Sequence, residues 1–130
     1  MELVKNNYIY WEFIRNLRNM DGVREGFIQQ DIISQEDHEK YMKWNSHFFW
    51  ICLDKDVPIG YIGIVDSDIR VATDPKHQGK GVATFMLNEV MKLKPSSIAK
   101  VKINNNASLR LFEKCGFVKK YYLLEKEDET

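Results

Sequence analysis

The sequence predicts a mixed α/β (α+β) domain whose sheet is mostly antiparallel, with helices on both faces. Three observations predict it. Apolar residues alternate between helical spacing and short β-branched or aromatic runs. The runs in the first half are joined by tight polar turns, which suit antiparallel hairpins. The second half reads strand, helix, strand, helix, strand, the order of packed α/β layers. A 44% apolar fraction with 12% aromatics over 130 residues is enough for one continuous core, and no linker or internal repeat divides the chain.

Each element follows from local chemistry. Glu2 to Val4 suits a short first strand, and Ile9, Phe13, Ile14 and Leu17 recur at helical spacing, predicting a helix from about Asn7 to Asn19. Ser34 followed by Asp37 resembles a capping box opening a second helix, with Tyr41, Met42 and Trp44 available for its buried side. His47 to Leu53 and Pro58 to Val65 are strand-like around the polar turn Asp54 to Val57. Asp66, Ser67 and Asp68 turn the chain into a strand at Ile69 to Thr73, which ends at Asp74-Pro75. A third helix starts near Gly79, carries Phe85, Met86, Leu87, Val90, Met91 and Leu93, and stops at Pro95. Ile98, Val101 and Ile103 mark another strand, Ala107 to Lys114 a short helix closed by Gly116, and Phe117 to Leu124 a last strand. The acidic stretch from about 125 to 130 is expected to fray.

Bulk charge excludes some partners. Nineteen basic residues balance nineteen acidic ones, so no whole-molecule field steers nucleic acid or an anionic membrane toward the chain. Apolar runs fall far short of the ~20 residues of a spanning helix, and no secretory signal is apparent, so a cytoplasmic location is expected. Cys52 and Cys115 have neither paired spacing nor a histidine cluster, which argues against a disulfide or a metal site.

The segment that carries chemistry is Gln78-Gly79-Lys80-Gly81-Val82-Ala83, between a strand and a helix. Such a turn leaves amide N–H groups unpaired at the positive end of a helix dipole, and glycines let an anion reach the backbone. A tight turn before an ordinary surface helix would use the same glycines. Other nucleotide loops fail on spacing: a Walker loop needs Lys-Ser/Thr after its second glycine, and a dinucleotide fingerprint needs glycine where Thr84 stands.

What remains is Gln-x-x-Gly-x-Ala, and downstream Asn105 to Phe117 reads Asn-x-x-Ser-x-x-Leu-Phe-x-x-x-Gly-Phe. Together these resemble the GNAT superfamily of Gcn5-related N-acetyltransferases. The resemblance implies a single acetyltransferase domain over residues 1–130, with a sheet splayed where the strand ending at Thr73 parts from the one beginning at Ile98. It implies acetyl-CoA as cosubstrate, its pyrophosphate on the amides of Gln78, Gly79, Lys80, Gly81, Val82 and Ala83, with Thr84 close by. Backbone groups of Val71 and Thr73 would pair with the pantetheine arm as an added strand does. Asn105 would bond the pantetheine or thiol end, and Ser108 and Lys114 fit phosphate or adenine contacts, although Asn105 and Ser108 are equally good helix caps. The chain is short for the resemblance, so a final strand supplied by a second subunit, and hence a homodimer, is open.

Acetyl transfer needs a neutral amine, an oxyanion stabiliser and a proton for the departing thiolate. The tyrosine that often gives that proton in the family is here Phe112, which can pack against pantetheine but cannot donate. Water, Cys115, Tyr121 or Tyr122 would have to substitute, or the thiolate leaves unassisted. Asp66 and Asp68 are the nearest candidates for the base, alongside ordered water, and the Val71 amide for the oxyanion donor. The family's amine pocket lies at the first two helices, here Arg15, Arg18, Asn19, Arg24, Glu25, Phe27 and the His38 helix. Leu17-Arg18-Asn19 followed by Val23-Arg24 resembles members that acetylate nucleotide-linked amino sugars or protein N-termini. The expected acceptor is therefore a small-molecule amine, an amino sugar on a nucleotide carrier first. A protein N-terminus or lysine, and a non-catalytic acyl-CoA-binding module, are the alternatives.

Overall fold

The computed structural model describes residues 1–127. Its frame is a four-stranded antiparallel sheet in the order β1 (Glu2–Lys5), β2 (Phe49–Asp54), β3 (Val57–Val65), β4 (Asp68–Thr73). Both β2–β3 and β3–β4 close through two residues of left-handed backbone, Lys55-Asp56 and Asp66-Ser67. That geometry matches the right-handed twist of the paired strands and pins their register. The predicted hairpins therefore form with boundaries shifted by a residue or two.

Alternation along β3 divides the core. Ile62 and Ile64 face α3 (Val82–Leu93), where they pack with Trp50, Met86, Leu87 and Val90. Tyr61 and Val65 face the other layer, with Ile14 and Leu17 of α1 (Trp11–Asn19) and Met42 of α2 (Gln35–Asn45). Each fully buried aliphatic side chain contributes about 1.5–3 kcal/mol, so both layers are held to the sheet chiefly by apolar burial. Phe49 lies so close over Gly63 that a Cβ there would sit 2.3 Å from its ring, which explains a glycine inside a central strand.

Several expected elements are altered. The first helix begins as a 3-10 turn over Tyr8–Tyr10, because the Asn7 side chain accepts from the Ile9 amide, and α1 proper starts at Trp11. Ser34 does cap α2, its hydroxyl accepting from Asp37 N–H at 3.1 Å, but Trp44 faces solvent at 75% exposure while Met42 takes the buried side. The third helix begins at Val82, not Gly79, because Gly79 and Gly81 both adopt φ +80°. The short helix, α4 (Asn106–Lys114), is capped by Asn105 and followed by Gly116 at φ +93°.

The two strands expected after α3 do not form as strands. Ile98 makes one parallel bridge to Asp68, through Ile69 N–H to Ile98 O at 3.0 Å and Ile98 N–H to Ser67 O at 2.8 Å, and the chain then leaves β4. Phe117 to Leu124 forms no ladder, and Tyr121, Tyr122 and Leu124 are almost fully exposed. Apolar alternation makes a strand only where a neighbouring backbone accepts its hydrogen bonds. Apart from Ile98, neither segment finds one among the described residues. The acidic tail expected from 125 to 130 is described only to Glu127, and its last residues lie outside the described range. No helix among the described residues is long and apolar enough to cross a membrane.

Candidate active site

The glycine loop is a backbone cradle. Asp74 accepts from the Lys76 amide and the Gln78 amide donates to Pro75 O at 3.4 Å, so the run of free donors begins at Gly79, one residue later than expected. From Gly79 to Thr84 no amide finds a carbonyl or side-chain acceptor among the described residues, and Gly81 supplies no side-chain cap to α3. A Cβ at Gly79 or Gly81 would meet nothing within 4 Å. Unpaired amides, open space before them and the dipole of a three-turn helix together fit a pyrophosphate. Lys80 is exposed beside the loop, and Val82 is buried in the core that fixes the helix.

The outer edge of β4 is the second backbone element. Asp74 N–H points inward to Ile59 O, whereas Ile69 N–H points outward to Ile98 O. By strand alternation the amides of Val71 and Thr73 also point outward, into the gap left where Ala99 onward parts from β4. The resemblance implied a splay between two strands; here only Ile98 bridges β4, and the edge beyond is open, where an extended amide-bearing arm can add as a strand does.

Beyond that edge lies a cavity of about 600 Å³ bounded by α1, α2, β4 and the start of α4. Val71, Asn105, Ser108 and Phe112 line it, as does Asp68, whose Oδ1 is buried without a partner. Asp66 instead faces a separate, shallower cavity with Lys5 and His47, so the two expected carboxylates are not equivalent. Phe112 is buried and meets Phe117 edge-on at 5.2 Å. Asn105 spends its Oδ1 on the Ser108 amide at 3.1 Å and its Nδ2 on Gly26 O at 3.3 Å, so its capping role is filled. Lys114 is exposed at the far end of α4 and does not line the cavity.

Arg70 donates from Nη1 to the Tyr41 hydroxyl at 2.8 Å on the α2 side. His38 meets Trp11 O through Nε2 at 2.8 Å, and burial holds its imidazole below the ordinary value, hence neutral. Tyr61, in the middle of β3, lines the cavity too, and burial pushes its hydroxyl well up, so it stays protonated. None of the side chains named as substitutes from the sequence occupies this place: Tyr121 and Tyr122 are exposed, and Cys115 lies outside the cavity, its thiol raised by burial.

The model of the acetyltransferase (GNAT) family matches residues 10–117. The chain belongs to the GNAT family. It is thus an N-acetyltransferase that uses acetyl-CoA. The chain is similar to spermidine N(1)-acetyltransferase of Vibrio cholerae, 23% identical over 87% of this chain and 76% of that protein. Spermidine N-acetyltransferase from Vibrio cholerae, solved with CoA and spermine, superposes with a TM-score of 0.84 at 20% identity, over 96% of this chain and 85% of that one. The Salmonella typhimurium protein yncA, solved with acetyl-CoA, gives 0.77 at 17% identity over 90% and 79%. At such identities the structures establish a shared fold. Within the GNAT frame, Tyr61, Tyr41 and Arg70 are cavity residues the sequence did not single out. Tyr61 sat inside the apolar run Tyr61 to Val65, where a buried core aromatic is the ordinary reading.

Proposed function

We propose that this chain acetylates the primary amine of a small molecule, using acetyl-CoA held by the amides of Gly79 to Thr84 and the outer edge of β4. The observation that carries the reading is the continuity of three features: a row of unpaired amides at α3, an open β4 edge, and a cavity beyond it. The protein supplies orientation, and the reactive thioester belongs to the cosubstrate.

In the step itself the amine nitrogen forms a bond to the acetyl carbon and the carbon–sulfur bond breaks. Asp68, directly or through a water, takes the proton the ammonium must lose before attack. The outward amide of Val71 donates to the carbonyl oxygen as negative charge builds on it. Tyr61, which burial keeps protonated, donates a hydrogen bond to the departing thiolate, and the thiolate then takes its proton from water, while Phe112 packs as an apolar wall. A half-open cavity of about 600 Å³ has room for a small amine. The nucleotide-linked amino sugar rests on the Leu17 to Arg24 stretch alone, whereas the relatives above are named for spermidine.

Thiol release from acetyl-CoA, measured over a panel of polyamines, amino sugars, nucleotide-linked amino sugars and peptides, tests the reading. Turnover on small amines but not peptides is expected. Turnover on peptides alone would contradict the small-molecule assignment, and binding of acetyl-CoA with no transfer on any amine would leave a binding module.

A further inference from the structure

Arg18 stands out among the cavity residues because it is a buried cation without an anion. It projects from α1, is only 8% exposed and lines the cavity beyond β4. A guanidinium is taken out of water at high cost unless its donors and its charge are both met. Here they are met in part: Nη2 donates to Gln29 O, and the group stacks 4.6 Å from the centre of the Phe27 ring. Nη1 is buried with no partner, and no carboxylate lies within ion-pair distance among the described residues. Burial above all, with like charge from Arg24 and Arg70, makes the protonated form harder to hold, offset in part by Tyr61 and Asp31.

The opposite charge is found elsewhere in the cavity. Asp68 has a buried, unpartnered Oδ1 on β4, the strand whose edge meets the thioester. One cavity therefore contains an unsatisfied carboxylate oxygen on the reacting side and an unsatisfied guanidinium nitrogen on the α1 side. Asp37 and Glu125 also line the cavity, but an ammonium group that a polyamine placed at Arg18 would meet like charge and an unpaired buried donor there. A molecule with an amine at one end and an anionic oxygen group at the other answers both.

We propose that Arg18 is the specificity-determining residue of the acceptor cavity, and that the acceptor is a small primary amine bearing a carboxylate or a phosphate. This rests on the amine-acetylation reading above, and the test separates the two. The full chain saturated with CoA is titrated calorimetrically with putrescine against ornithine, glucosamine against glucosamine 6-phosphate, and spermidine. Within at least one pair the anionic member binds about tenfold tighter or more, the worth of one charge-assisted hydrogen bond, and the pair that responds distinguishes carboxylate from phosphate. Arg18→Met removes that advantage with CoA affinity unchanged, and Arg18→Lys keeps part of it. If Arg18→Met does not fold, the wild-type ratios and the lysine variant decide.

Spermidine or putrescine binding as tightly as the anionic amines would overturn the inference, and so would a preference that survives Arg18→Met, or no binding by any of the five. Arg18-dependent binding of an anionic amine without acetyl transfer would support the anion site and retire the acetylation reading instead.

Discussion

The loop at Gly79 to Thr84 is built almost wholly of backbone, whereas the cavity between α1, α2 and β4 is built of side chains drawn from distant parts of the chain. In the loop, chemistry comes from what is missing: no Cβ at two positions and no carbonyls opposite the amides. In the cavity it comes from what burial does to groups already present, such as Tyr61, His38 and Arg18. On the proposed reading, the difference teaches that cosubstrate binding depends on local conformation, and acceptor choice on tertiary packing. Substitutions should separate the two.

The largest effect is expected in the loop. Gly81→Val forces a β-branched residue to φ +80° and puts a side chain in the open space before the amides. Loss of one or two charge-assisted hydrogen bonds predicts CoA affinity weakened about 10- to 100-fold by calorimetry. The cavity's own shape should persist, because Gly81 contacts none of it. Unchanged affinity would mean that the phosphates sit elsewhere.

A slightly smaller loss is expected across the sheet. Tyr61→Phe keeps the packing and removes the donor, so kcat should fall about tenfold, the worth of one hydrogen bond to a charged group, with CoA affinity preserved. An unaltered kcat would show that the thiolate leaves unassisted. The carboxylates sharpen the comparison further: Asp68→Asn should lower kcat about tenfold, and Asp66→Asn hardly at all, since only Asp68 shares the cavity with Val71. Equal losses from both would argue for a field effect of the turn.

The smallest expected effect concerns stability. Burial depresses the His38 pKa below its usual 6.5, so the unfolded chain binds its proton more readily than the folded one. The stability His38 contributes is therefore complete above the unfolded value and is lost as pH falls toward the folded one. The melting midpoint of the native chain should drop more between pH 7 and pH 5 than that of His38→Gln. Parallel profiles would assign the acid sensitivity to other groups.

How much was legible follows the same division. Gln78 to Ala83 and Asn105 to Phe117 declared themselves because glycines, caps and turn residues act within a few positions of where they stand. The hairpins were legible for the same reason. The strands expected at Ile98 to Ile103 and Phe117 to Leu124 were not secured, since their apolar alternation says nothing about whether a neighbouring backbone is present. Asp66 and Asp68 looked alike in a turn, and only the fold sends one into the acceptor cavity and the other away from it. Tyr61 was hidden by its surroundings: a tyrosine within an apolar strand carries no mark of whether its hydroxyl reaches a cavity.

The most direct test is a crystal structure of the chain with acetyl-CoA bound. The account predicts pyrophosphate oxygens within hydrogen-bond distance of amides between Gly79 and Thr84, and the pantetheine arm along Val71 and Thr73. A pyrophosphate seated away from that loop would contradict it.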